Sequence, residues 1–75
     1  MLGTPLFWRD IMTIINGKEI DASGKTISQY LMDANYTKAR VAVELNGDIV
    51  SKSKYDEIVL KDGDTVEIVS FVGGG

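Results

Sequence analysis

The group best placed to do chemistry in this chain is the carboxylate of Gly75, carried at the end of Gly73-Gly74-Gly75. A terminal carboxylate has a pKa of about 3.3–3.7, so at neutral pH it is ionised and a poor electrophile. It must be activated, for example as an acyl-adenylate, before sulfur or an amine can attack it. Three glycines after a strand do not serve stability, because glycine loses the most backbone entropy on ordering. The tail at 73–75 is expected to be flexible. A tail without β-carbons can thread a narrow channel in an activating enzyme, which makes it a reactive arm and the preceding domain its address. Taken alone, the glycines are equally compatible with a frayed end.

Other chemistries are poorly served. There is no cysteine and no histidine, which removes Ser/His and Cys/His nucleophile–base pairs, the commonest general base and the commonest metal ligand. Asp62 and Asp64 flank Gly63 and could form a catalytic carboxylate pair. Asp-Gly-Asp is more ordinarily turn chemistry, and two carboxylates are too few for a metal. No enzyme active site and no bound cofactor are expected. With 8 Lys+Arg against 11 Asp+Glu, and the basic residues scattered, nucleic-acid binding is not indicated. No apolar run approaches the roughly 20 residues of a membrane span. Residues 1–11 lack the basic start of a secretory signal. They are expected to be a disordered leader or tag, and the protein to be cytoplasmic.

The elements that must position the tail can be read in order. Met12-Thr-Ile-Ile15 has the β-branched composition of a strand. Asn16-Gly17 is a strong hairpin signal, and Lys18 to Asp21 returns with Ile20 inward. Thr26-Ile-Ser-Gln29 has the form of a capping box. Ile27, Tyr30, Leu31 and Ala34 then form one stripe of a helix about ten residues long, stopped by Asn35, with Tyr30 packed in the core. From Lys38 to Leu45 the period becomes two: Val41, Val43 and Leu45 share one face, and Arg40, Ala42 and Glu44 the other. Asn46-Gly47 ends this strand. Tyr55 to Leu60 is a mixed segment with room for a brief strand, Asp62-Gly63-Asp64 is a turn, and Thr65 to Val72 is the last strand. In that strand Val66 and Ile68 face the helix, while Glu67, Val69 and Phe71 lie on the open face, where Val69 and Phe71 form a candidate docking patch.

The order ββαββ, with a short extra strand before the last, predicts an α+β fold: a mixed four- to five-stranded sheet packed on one helix, with the first and last strands parallel. This is the ubiquitin-like β-grasp, spanning residues 12–72.

The chain from Met12 to Gly75 resembles the ThiS family of thiamine-biosynthesis sulfur carriers. The resemblance rests on Ile15-Asn-Gly-Lys-Glu19, Val41-Ala-Val-Glu-Leu-Asn-Gly-Asp-Ile-Val50, Leu60-Lys-Asp-Gly-Asp-Thr-Val-Glu-Ile68 and Phe71-Val-Gly-Gly-Gly75. It implies a protein co-substrate rather than a catalyst. A ThiF-type adenylyltransferase would use ATP to join AMP to Gly75. A cysteine-derived persulfide would convert the adenylate to a thiocarboxylate, and thiazole synthase (ThiG) would take the sulfur. Gly75 would carry the sulfur, Gly73 and Gly74 would line the enzyme channels, and Phe71 and Val72 would help to dock the domain, a monomer when free. The small subunit of molybdopterin synthase has the same fold and chemistry, but tends to be longer and to carry prolines before its glycines, where this chain has Ser70-Phe71-Val72. A ubiquitin-like interaction module, or a conjugated modifier, stands as a reading of another class.

Overall fold

A computed structural model describes residues 12–71. The expected leader at 1–11, and Val72 with the glycine tail at 73–75, lie outside the described residues.

Five strands form one mixed sheet: β1 (Thr13–Ile15), β2 (Lys18–Ile20), β3 (Val41–Leu45), β4 (Asp48–Ile49) and β5 (Thr65–Ser70), in the spatial order β2-β1-β5-β3-β4. β1 and β5 run parallel at the centre, with Ile14 opposite Thr65 and Ile15 opposite Val66. The other pairs are antiparallel. Helix α1 (Ile27–Asp33) packs on one face. The β-grasp expected from the order of elements is therefore the fold observed.

Both Asn-Gly pairs make the turns their composition demands. Asn16 and Gly17 have φ of 51° and 80°, and Asn46 and Gly47 have 51° and 90°, which matches the twist of a two-residue hairpin. The capping box is complete: the Thr26 hydroxyl accepts from Gln29 N–H at 3.1 Å, and Gln29 Oε1 accepts from Thr26 N–H at 2.9 Å. At the other end Asn35 takes φ of 65°, and Tyr36 N–H donates to the Leu31 carbonyl at 2.8 Å. This is a Schellman closure, which satisfies the last carbonyls of the helix.

The core is the single layer between sheet and helix. It joins Ile15, Val41, Val43, Val66 and Ile68 from the sheet to Ile27 and Leu31 from α1, together with Ala22, Tyr55 and Leu60 from the connecting segments. Ile20 and Tyr30 pack against it, half-buried.

Four local expectations are corrected. The helix is shorter than ten residues, because the Schellman closure stops it at Asp33; Ala34 is its exposed C-cap and not part of the buried stripe. Lys38–Arg40 is a 3-10 turn, and the strand starts at Val41. The turn is what brings the chain from the helix to the sheet, so alternation does not place Arg40 with Ala42 and Glu44. The Tyr55–Leu60 segment holds only one bridge, Val59 to Thr26. The last strand ends at Ser70, not Val72.

Candidate functional site

The candidate site is the end of β5 and the open face beside it. Alternation along the strand does what the sequence implies. Val66 and Ile68 are buried under the helix, whereas Glu67, Val69 and Phe71 are exposed, Val69 at 57% and Phe71 at 58%. Of the residues expected to dock a partner, Val69 and Phe71 are thus brought together on one surface. Val72, Gly73, Gly74 and Gly75 lie beyond the described residues.

What holds the base of the tail was not visible in the sequence. Phe71 N–H donates to the Arg40 carbonyl at 2.7 Å, one pairing beyond the end of the strand. Arg40 belongs to the 3-10 turn that Lys52 fastens: its ammonium donates to the carbonyls of Lys38 and Val41 at 2.8 and 2.6 Å. The ammonium groups of Lys38 and Lys52 also sit 5.7 and 5.8 Å from the centroid of the Tyr55 ring, within cation–π range. A charged side chain here acts on backbone carbonyls, so no pairing of types along the chain announces it.

The side chains of the two hairpin asparagines clamp β5 from both sides. Asn16 Oδ1 accepts from Ile68 N–H at 2.7 Å, and its Nδ2 donates to the Ile68 carbonyl at 3.2 Å. Asn46 Oδ1 accepts from Thr65 N–H at 2.9 Å, and its Nδ2 donates to Asp64 Oδ1 at 3.1 Å. The strand that leads to the tail is therefore held by amides as well as by its neighbours' backbones.

The carboxylate pair Asp62 and Asp64 resolves as turn chemistry. Asp64 is buried, and its Oδ2 accepts from Lys61 N–H at 2.9 Å. Gly63 supplies the left-handed φ of 86° that the turn needs, and Asp62 is exposed. Each Asp64 oxygen accepts one hydrogen bond that ties the turn together, Oδ1 from Asn46 Nδ2 and Oδ2 from Lys61 N–H. Among the described residues no cluster of acidic side chains could hold a metal, and no helix is long and apolar enough to cross a membrane.

The helix side bears a hollow of about 330 Å³ lined by Ser28, Leu31, Met32, Tyr36, Lys38 and Asp56. Ser28 donates its hydroxyl to Asp56, and Lys38 lies 3.8 Å from the same carboxylate. The Ser28 hydrogen bond first, and then the Lys38 charge, hold Asp56 below its ordinary pKa. A carboxylate so stabilised as an anion is a weak base, and the trio does not make a nucleophile of Ser28.

Fold and site together define a ubiquitin-like β-grasp protein whose last strand exposes Val69 on its open face, with Phe71 exposed just beyond its end. Comparison with known proteins narrows this. Residues 9–75 match the model of the ThiS family. The chain is 39% identical over 66 residues to the sulfur carrier protein ThiS of Bacillus subtilis, covering 85% of this chain and 100% of that one. The crystal structure of the thiamine biosynthesis protein ThiS from Geobacter metallireducens superposes with a TM-score of 0.67 at 34% identity, covering 84% of this chain and 97% of that one. A thiazole synthase of Paramagnetospirillum magneticum is 43% identical over 63 residues, which is 83% of this chain but 19% of that protein. The chain spans about a fifth of the length of this synthase and of a second one, from Magnetococcus marinus. The chain belongs to the ThiS family.

Proposed function

We propose that this chain is the sulfur carrier of thiamine thiazole synthesis, a protein co-substrate in the cytoplasm that binds no cofactor of its own and is monomeric when free. The Gly75 carboxylate attacks the α-phosphorus of ATP on a ThiF-type adenylyltransferase, releasing pyrophosphate and leaving an acyl-adenylate. The terminal sulfur of a cysteine-derived persulfide then attacks the carbonyl carbon and displaces AMP. Cleavage of the resulting acyl disulfide by a thiol leaves the thiocarboxylate, and that thiol and the persulfide carrier end as a disulfide. Thiazole synthase takes the sulfur, and the carboxylate is restored. In this cycle Gly73 and Gly74 line the enzyme channels, and Val69, Phe71 and Val72 dock the domain.

The observation that carries the reading is the ThiS match across residues 9–75, which takes in the tail as well as the domain. Thiamine-biosynthesis and sulfur-carrier relatives at 33–39% identity support the thiamine branch over the molybdopterin one. Two thiazole synthases that hold a segment like this chain within a much longer protein support ThiG as the acceptor. Joining carrier to acceptor raises their effective concentration.

Intact-protein mass spectrometry tests the proposal. The chain is incubated with ATP, cysteine, a cysteine desulfurase and a ThiF-type enzyme, alongside a chain lacking Gly75. A mass gain equal to one oxygen replaced by sulfur, seen only with Gly75 present, is the expected result. No gain, with both enzymes active on a known carrier, leaves a β-grasp interaction module.

A further inference from the structure

The register of β3 and β5 sets Glu44 directly opposite Glu67. Opposed positions of an antiparallel pair hold their Cβ atoms about 5 Å apart, and like charges there are destabilising. Both glutamates are exposed on the open face, and among the described residues neither joins an ion pair. Apolar side chains border them on that face. Val69, two residues along β5, is 57% exposed, and Ile49, opposite Glu44 on β4, is 79% exposed. A repulsive pair amid uncovered apolar surface costs stability and gives the free fold nothing.

We propose that the Glu44–Glu67 pair is a specificity-determining contact, which receives an arginine or lysine of the adenylating partner while Val69, Ile49 and Phe71 meet apolar side chains around it. Charge complementarity selects this occupant: a cationic side chain offsets the repulsion, and an apolar surround strengthens the pair by excluding water. The position also orients the partner. Glu67 lies four residues before Phe71, about 13 Å along the strand. A base held at the glutamates and apolar contact at Phe71 thus give the partner two separate points of attachment on the open face. This inference rests on the sulfur-carrier reading above.

The test uses the full chain as Glu44→Gln, Glu67→Gln, the double variant and the charge-reversed E44K/E67K, with a ThiF-type enzyme. The readouts are the dissociation constant at several salt concentrations and the KM and kcat of carrier-dependent ATP–pyrophosphate exchange. The double Gln variant is expected to raise Kd and KM about tenfold, keep kcat within about twofold, and flatten the salt dependence. E44K/E67K is expected to bind more weakly still. A melting temperature at or above that of the wild type in the double Gln variant shows that these losses are not unfolding. Unchanged Kd and salt dependence overturn the proposal. Tighter binding overturns it too, and marks the face as covered by the chain's own leader or by a second copy. If the wild-type chain is bound normally but gains no sulfur, the carrier reading fails while the contact stands. If the wild-type chain is not bound at all, both fail.

Discussion

The side-chain amide of Asn16 meets both backbone polar groups of Ile68, accepting at 2.7 Å and donating at 3.2 Å. It occupies the place of a further β1 residue and extends the parallel pairing with β5 by one step, although Asn16 itself has already turned away with φ of 51°. Asn16→Gly keeps the turn and loses both bonds. It is expected to destabilise the domain by about 1–3 kcal/mol, since Ile68 is buried and its amide loses a partner. Urea unfolding checks this: the midpoint falls and the m-value is unchanged. Asn16→Asp keeps an acceptor for Ile68 N–H but sets a carboxylate against the Ile68 carbonyl, and is expected to destabilise as well.

Asp64 is a structural acid. Asp64→Ala strips the acceptor from Lys61 N–H and Asn46 Nδ2 at a buried site. The expected loss is about 2–4 kcal/mol, read by thermal unfolding. The sulfur loading of whatever fraction remains folded is expected to be normal, as the carboxylate is not catalytic.

Lys52 anchors the base of the tail through two carbonyls. Lys52→Met keeps most of the aliphatic stem and removes the ammonium. A loss of about 1–2 kcal/mol is expected, together with faster hydrogen exchange at Phe71 N–H, whose acceptor Arg40 sits in the turn that Lys52 holds. Exchange at Phe71 no faster than in the wild type would sever the proposed link.

Asp56 makes stability depend on pH. Its pKa is lowered from 3.8, chiefly by the Ser28 hydrogen bond and then by Lys38. A group whose folded pKa is depressed contributes stability that is present above its unfolded pKa and lost as pH falls through the folded value. The contribution is therefore whole above about pH 4 and fades below 3.8. In Ser28→Ala the slope of stability against pH in that acid range is expected to flatten, with little change of slope at pH 7. Because Asp56 is exposed, the effect is expected to shrink in salt.

The tail has its own prediction. Gly74→Val is expected to leave the melting temperature unchanged and to reduce sulfur loading by at least about tenfold, because a β-branched side chain restricts the backbone and obstructs a narrow channel. Thermal unfolding and mass spectrometry separate the two effects.

Much of this was legible along the chain because its causes are local. A capping box spans four residues, and Asn-Gly needs only its own two φ angles. Alternation in Val66 to Phe71 sorts buried from open side chains without knowledge of the rest of the fold. These signals, in order, were enough for the β-grasp and for the exposed pair Val69 and Phe71. The Lys38–Arg40 turn was not legible, since Arg40 falls in phase with the alternation of Val41 to Leu45, and only the need to carry the chain from helix to sheet bends it away.

The sequence by itself therefore determined the elements, their faces and the glycine end on which the chemistry is proposed to run. It could not determine contacts between distant residues. Asn16 and Ile68 are 52 positions apart, and Glu44 meets Glu67 only through the β3–β5 register. A one-residue slip of that register would move every side chain of a strand to the other face. Packing of Val43 and Ile68 under the helix forbids that slip, and so the tertiary structure alone decided which charges stand together on the open face.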